Sequence, residues 1–208
     1  MEDTYASTKR FYDVNAESYA EVTRALPISD EFASFIAQLP RGLKIVDLGC
    51  GAGRDLSAFS QRRVAAVGLD FSRRLAKLAQ DYSACPVVVG DLRALPFATS
   101  ALGGAWASAS LLHLQRSDID LALAEIWRVL VPAGVFFSSL KGGQGEETDT
   151  NGRWFSYFDQ SDWLACLHNA GFVVTEMRTS VQESGTIEKD RSVSWFSCIA
   201  KKTGKHKD

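Results

Sequence analysis

One stretch concentrates residues able to shape a small-molecule site: Asp47-Leu48-Gly49-Cys50-Gly51-Ala52-Gly53-Arg54, an acid followed by glycines at alternate positions. Glycine tolerates positive φ and carries no Cβ, so such a run can turn sharply and bring backbone amides up to a ligand. The dinucleotide fingerprint needs its third glycine at the sixth position, which Arg54 occupies here, and this argues against a pyrophosphate seated on a helix N-terminus. An acid-led G-x-G-x-G turn suits a nucleoside with a zwitterionic tail instead. Two further acids close apolar runs, Asp70 in Gly68-Leu69-Asp70-Phe71 and Asp91 in Val89-Gly90-Asp91-Leu92. A carboxylate accepts from two hydroxyls at once, and Asp70, 21 residues past Gly49, is spaced to hold a ribose. Either acid could instead be an ordinary turn or cap aspartate. His113 follows the next apolar run in Ser108-Ala109-Ser110-Leu111-Leu112-His113; general base and structural hydrogen-bonding group are its two readings.

Elements that could position these residues are legible around them. Short apolar runs at Leu43–Leu48, Val64–Leu69, Pro86–Val89, Ala105–Ala109 and Val135–Leu140 alternate with helical patterns, the signature of a parallel sheet covered by helices. Ser72 is placed to cap one helix, Ser117 and Asp120 to open another that Pro132 stops, and Asp159 or Ser161 to open a third ending at Gly171. Phe172–Met177 and Val193–Ala200 are strand-like with only a polar, turn-rich stretch around Glu183–Asp190 between them, so they must pair antiparallel. Phe11, Tyr12, Ala16 and Tyr19 have helical spacing, and a second helix is expected from about Ser29 to Leu39. Gly142–Gly152 reads as a mobile loop.

The 208 residues suit one hydrophobic core. The expected organisation is a single domain, with a helical segment at 1–40, a core at 41–202 and a tail at 203–208. A net charge of −2 offers no general attraction for phosphate backbones. No apolar run is long enough to span a bilayer, and Met1 is followed by acidic and polar residues, so a cytoplasmic protein is expected, with no membrane partner. Cys50, Cys85, Cys166 and Cys198 form no CxxC pair and read as reduced thiols without a metal site.

The Asp47–Gly53 segment resembles the first motif of class I S-adenosylmethionine-dependent methyltransferases, and the resemblance extends from about Tyr12 to Lys202. It implies an α/β, Rossmann-like fold: a seven-stranded, mostly parallel sheet with an antiparallel last strand and helices on both faces. It also implies S-adenosylmethionine as cofactor, released as S-adenosylhomocysteine. On that resemblance Asp47, Gly49, Cys50, Gly51 and Gly53 form the cofactor turn and Asp70 holds the ribose. Phe71 lies along the adenine, Asp91 accepts from its amino group, Leu92 packs on the ring, and Ser108 flanks the path from the sulfonium to the acceptor. The chain departs from the family at Leu130-Val131-Pro132-Ala133-Gly134, where Leu-Lys-Pro-Gly-Gly is usual.

Methyltransferases acting on nucleic-acid base amines carry an Asn/Asp-Pro-Pro-aromatic motif after the fourth strand, and cytosine-carbon enzymes a Pro-Cys. This chain has neither. The expected reaction is therefore methyl transfer to a small-molecule acceptor, with His113 as candidate base. Methylation of a nucleic acid or protein, supported only by Lys201, Lys202, Lys205 and Lys207, and a non-catalytic cofactor-binding module are the alternatives. Tyr12 and Tyr19, seven residues apart, share a helix face; in similar methyltransferases a Y-D-x-x-A-x-x-Y helix folds over the cofactor as a lid. Tyr19 is accordingly expected at the cofactor and Tyr12 at the acceptor. The aromatic strip Trp154-Phe155-Ser156-Tyr157-Phe158 is the second candidate wall, with Tyr157 facing the acceptor and Lys141 or Arg153 meeting a carboxylate or phosphate.

Overall fold

A computed structural model describes residues 4–182 and 193–203. The turn expected around Glu183–Asp190 and the residues beyond Thr203 lie outside the described residues. The chain opens with α1 (Thr4–Val14), α2 (Ala16–Arg24) and α3 (Glu31–Gln38), then alternates β1 (Ile45–Leu48), α4 (Arg54–Gln61), β2 (Ala66–Asp70), α5 (Arg73–Ser83), β3 (Val87–Val89) and β4 (Leu102–Ser108). It continues through α6 (Ile119–Val129), β5 (Leu130–Lys141), a hairpin of β6 (Glu146–Thr148) and β7 (Trp154–Ser156), α7 (Gln160–Asn169), β8 (Phe172–Gln182) and β9 (Val193–Lys202).

Seven strands form one sheet in the order β3-β2-β1-β4-β5-β9-β8. β1 to β5 pair in parallel, while β9 runs antiparallel to both β5 and β8. This is the fold expected from the sequence, antiparallel last strand included. Alternate residues of each strand feed opposite cores, which is why the runs are apolar throughout. Val46, Ala105 and Phe136 pack with α6 and α7, whereas Ile45, Trp106, Phe137 and Ile199 pack with Phe32, Phe35 and Phe59 from α3 and α4. Trp106 stacks on Phe137 at 3.7 Å, and its indole N–H donates to Asp55 Oδ2 at 2.8 Å.

Two expected caps form: Ser72 Oγ accepts from the Leu75 amide at 3.1 Å and the Asp159 carboxylate from the Asp162 amide at 2.8 Å. Gly171 has φ +84°, the left-handed conformation that ends α7. Other local expectations are corrected. Ser117 and Asp120 make no capping box, because Arg116–Asp118 forms a 3-10 turn and α6 starts at Ile119 with Asp118 as its cap residue. Pro132 lies inside β5, where residues between the Leu130–Leu102 and Val135–Gly104 pairs bulge away from β4 and spare its missing N–H.

The N-terminal helix bends at Asn15 (φ −103°, ψ +17°), whose backbone still bonds Phe11 and Tyr19 at helical spacing while its side-chain amide also donates to the Phe11 carbonyl at 2.8 Å. Within the loop expected at Gly142–Gly152, residues Glu146–Thr148 pair with Trp154–Ser156 as a hairpin. Lys201 and Lys202 belong to β9 rather than to a basic tail, and the buried Lys202 ammonium donates to the Leu130 carbonyl at 2.7 Å. Among the described residues no helix is long and apolar enough to cross a membrane.

Candidate active site

In open α/β sheets a ligand crevice forms beyond the carboxyl ends of the strands, where the order reverses about the first strand. Here that position holds a cleft with Gly49, Gly51, Asp70 and Leu92 among its lining residues and Tyr5, Tyr12 and Tyr19 on its helical side. The glycine turn is fixed to β2 because the Gly49 and Cys50 amides both donate to the Leu69 carbonyl, at 2.7 and 3.0 Å. Gly49 has φ +70°, and a Cβ there would overlap the Ser110 side chain. Gly53, at φ +87°, lets α4 approach α5, since its Cβ would stand 2.8 Å from Ala79 Cα.

Asp70 closes β2 with both oxygens engaged: Oδ2 accepts from the Gly51 amide at 2.8 Å and Oδ1 from the Ser72 amide at 2.9 Å. Burial raises its carboxyl to about 7, the backbone donors offsetting only part of that cost. Asp47, fully buried on β1, is held well above the usual carboxylate range by burial and then by nearby Asp55. Its Oδ2 and the Ser110 hydroxyl have no hydrogen-bond partner among the described residues. At the β3 end, Asp91 accepts from the Arg93 amide at 2.9 Å and from its guanidinium at 2.7 and 3.0 Å, while Arg93 also reaches Asp118 at 2.8 Å.

The helical side is aromatic. Tyr12 meets Tyr19 edge-on at 5.1 Å and lies 6.0 Å from Phe71. Its hydroxyl is 2.8 Å from His113 Nε2, and His113 Nδ1 is 2.7 Å from the Trp154 carbonyl. A carbonyl only accepts, so Nδ1 carries the proton and Nε2 accepts from the Tyr12 O–H. Burial, opposed in part by the Trp154 carbonyl and reinforced by Arg153 and Lys141, lowers His113 to about 4. Tyr12 is pushed well above its ordinary value by burial and then by Tyr19, while Arg153 donates to its oxygen.

The structure thus gathers Gly49, Gly51, Asp70, Phe71, Leu92, Tyr12, Tyr19 and His113 around one cleft. It does not bring every candidate there. The Cys50 side chain is buried in the core against Leu56 and Phe59, which leaves only its backbone at the turn. Ser108 ends β4 short of the cleft, where Ala109 and Ser110 line it instead. Lys141 lies with its ammonium 4.0 Å over the Phe155 ring, Arg153 pairs with Asp149 at 2.7 Å, and Tyr157 donates to Glu147; none of the three lines the cleft. Two lining residues that the sequence pattern did not single out are Tyr5 and Ser110. Tyr5 had a signal, as it precedes Tyr12 by the seven residues that separate Tyr12 from Tyr19.

A family model described as a methyltransferase domain matches residues 45–134. The chain is 37% identical over 117 residues to a malonyl-[acyl-carrier protein] O-methyltransferase of Erwinia billingiae, covering 53% of this chain and 44% of that one. It is 29% identical over 150 residues to a tRNA (carboxymethyluridine(34)-5-O)-methyltransferase of Arabidopsis thaliana, 70% of this chain and 35% of the relative. The crystal structure of a Burkholderia thailandensis 1,6-didemethyltoxoflavin-N1-methyltransferase with bound 1,6-didemethyltoxoflavin and S-adenosylhomocysteine superposes with a TM-score of 0.77. That match has 20% identity and covers 95% of this chain and 88% of that one. Residues 45–134 thus match the methyltransferase-domain model, and the fold is that of the class I S-adenosylmethionine-dependent methyltransferase family. It spans about half or less of the length of the curated relatives it matches.

The residues present fit the cofactor of that family. The unpartnered, buried Asp47 oxygen suits an ammonium group, and Gly51 lines the cleft at φ +53° with no side chain to crowd a ligand. Asp70 suits vicinal hydroxyls once ionised. Asp70→Asn is expected to weaken S-adenosylhomocysteine binding about tenfold, the size of one hydrogen bond to a charged group. With wild-type Asp70 titrating near 7, loss of its proton must precede full acceptance from the ribose, so affinity should rise with pH through about 7. Calorimetry between about pH 5.5 and 8.5 checks both. The Asp70→Asn protein should lack the pH dependence, and equal affinity in both proteins would reduce Asp70 to a turn residue.

Proposed function

We propose that this chain catalyses transfer of a methyl group from S-adenosylmethionine to a nucleophilic atom of a small-molecule acceptor. The observation that carries this reading is the aromatic cover over the cleft, where Tyr12 and Tyr19 close it to an acceptor that does not fit beneath them. The malonyl-carrier and toxoflavin-precursor relatives support it, and the tRNA relative supports the alternative. Four free cysteines support a cytoplasmic location.

The cofactor, when bound, would supply an electrophilic methyl group on a sulfonium. The chain's own residues hold it and manage one proton. The glycine turn, Asp47 and Asp70 are the holding groups, with Phe71 and Leu92 packing the base. Tyr12 has one oxygen lone pair committed to Arg153 and its proton committed to His113. The remaining lone pair can accept the proton that an acceptor O–H or N–H sheds as it is methylated, while the Tyr12 proton passes to His113 Nε2. His113 then carries both ring protons, the Nδ1–H still bound to the Trp154 carbonyl. On this reading His113 acts through Tyr12, and Arg153 orients Tyr12 rather than binding the acceptor.

Calorimetry is expected to detect S-adenosylmethionine and S-adenosylhomocysteine binding and no NAD binding, and a metabolite screen for S-adenosylhomocysteine release then identifies the acceptor. Tight NAD binding with no response to S-adenosylhomocysteine would overturn the reading; turnover with tRNA and with no small molecule would favour the nucleic-acid alternative.

A further inference from the structure

Asp91, the residue read as acceptor for the adenine amino group, has its hydrogen-bonding capacity already spoken for. A carboxylate offers about four lone-pair positions. Three take N–H groups of Arg93, its backbone amide, Nε and Nη2. Arg93 Nε also reaches the second oxygen at 3.2 Å, and the Tyr5 hydroxyl hydrogen-bonds to the same carboxylate. Burial and then the Asp91 charge push the Tyr5 hydroxyl above its ordinary range, so it stays a donor. The Tyr5 ring lies 5.3 Å from Phe71, the residue expected along the adenine, and the Arg93 guanidinium lies over the Tyr5 ring at 4.5 Å. Tyr5 therefore presents to this corner of the cleft what an adenine presents: a flat π-system carrying one donor aimed at Asp91.

We propose that Tyr5 is a built-in competitor for the adenine, seated on the acceptor position of Asp91 that the adenine amino group needs, so that cofactor entry requires Tyr5 to leave. Tyr5 stands on the first turn of α1, where the fewest helical hydrogen bonds must break to release it. The inference rests on the S-adenosylmethionine reading of the cleft. It makes the N-terminal turn a determinant of cofactor affinity, and it opposes the simpler role of Tyr5 as a fixed wall of the adenine pocket.

The two roles give opposite signs. Tyr5→Phe keeps the ring contacts and removes only the competing donor, so calorimetry should find S-adenosylhomocysteine bound about three- to tenfold more tightly than by the wild-type protein. S-inosylhomocysteine, which offers Asp91 no amino donor, should gain nothing from the same substitution. Unchanged or weaker S-adenosylhomocysteine binding by a folded Tyr5→Phe protein overturns the proposal, and so does an equal gain for both ligands. Tyr5→Ala, tested in parallel with a thermal melt as fold control, should show the S-adenosylhomocysteine gain as well; a loss of affinity there marks Tyr5 as a wall. If wild-type protein binds S-adenosylhomocysteine and the variants bind no better, only the competitor role fails. If no protein in the series binds it at millimolar concentration while all are folded, the cofactor reading fails and this inference with it.

Discussion

Gly49→Val is expected to raise the dissociation constant for S-adenosylhomocysteine by at least about 10²-fold, two costs acting together. The residue sits at φ +70°, where a β-branched side chain is strained by roughly 1–2 kcal/mol. Its Cβ would also overlap the Ser110 side chain, so either the turn or the segment after β4 must move, and both line the cleft. Gly42→Ala separates the two costs, because Gly42 has φ +76° but nothing within 4 Å of its Cβ; that protein should lose about 1 kcal/mol of stability and keep its affinity. Combining Gly49→Ala with Ser110→Gly should recover part of the binding that Gly49→Ala loses, which ties the effect to this contact. Should Gly49→Val fold and bind within threefold of wild type, the glycine turn would be no part of the cofactor site.

What could be read in advance follows from how local the determinants are. The glycine turn and the acids at Asp70 and Asp91 are set by backbone geometry within a few residues, and each lies at the strand end where the sequence puts it. The antiparallel β8–β9 pair was legible because two apolar runs without a helix between them have one pairing available. The hairpin of β6 and β7 was hidden, since Glu146, Glu147 and Thr148 are all exposed and show no apolar alternation; their partners, Phe155 above all, are held by contacts to His113 and Lys141 distant in sequence. The same distance effect misdirected Arg153 and Lys141. A cation near an aromatic strip looks like an anion site until Asp149 is seen paired with Arg153, and Lys141 over Phe155. Ser110 needed the tertiary fact that the segment after β4 passes against Gly49.

His113→Ala should lower kcat by about 10²-fold with the acceptor that the metabolite screen identifies, while S-adenosylhomocysteine affinity changes little. Tyr12→Phe should cost a similar factor. The double variant should cost scarcely more than either single one, because two groups that pass one proton fail as a unit. The pH profile distinguishes this arrangement from an exposed histidine base. An unperturbed imidazole would make the rate rise through about 6.5, whereas burial lowers His113 to about 4. Its neutral form is then present throughout the range from about pH 5.5 to 8.5, so the chemical step should be flat there and fall only as pH approaches 4. Linkage gives a second readout that needs no acceptor. With the folded pKa below the unfolded one, the unfolded chain takes up the proton first, so stability declines as pH falls from about 6.5 toward 4. His113→Ala should flatten that part of the melting-temperature profile, and nitrogen NMR should find the Nδ1–H tautomer persisting to about pH 4 in the wild-type protein. A rate that titrates near 6.5, or a His113→Ala protein with undiminished turnover, would remove the relay and leave positioning of the two reactants as the whole of the catalysis.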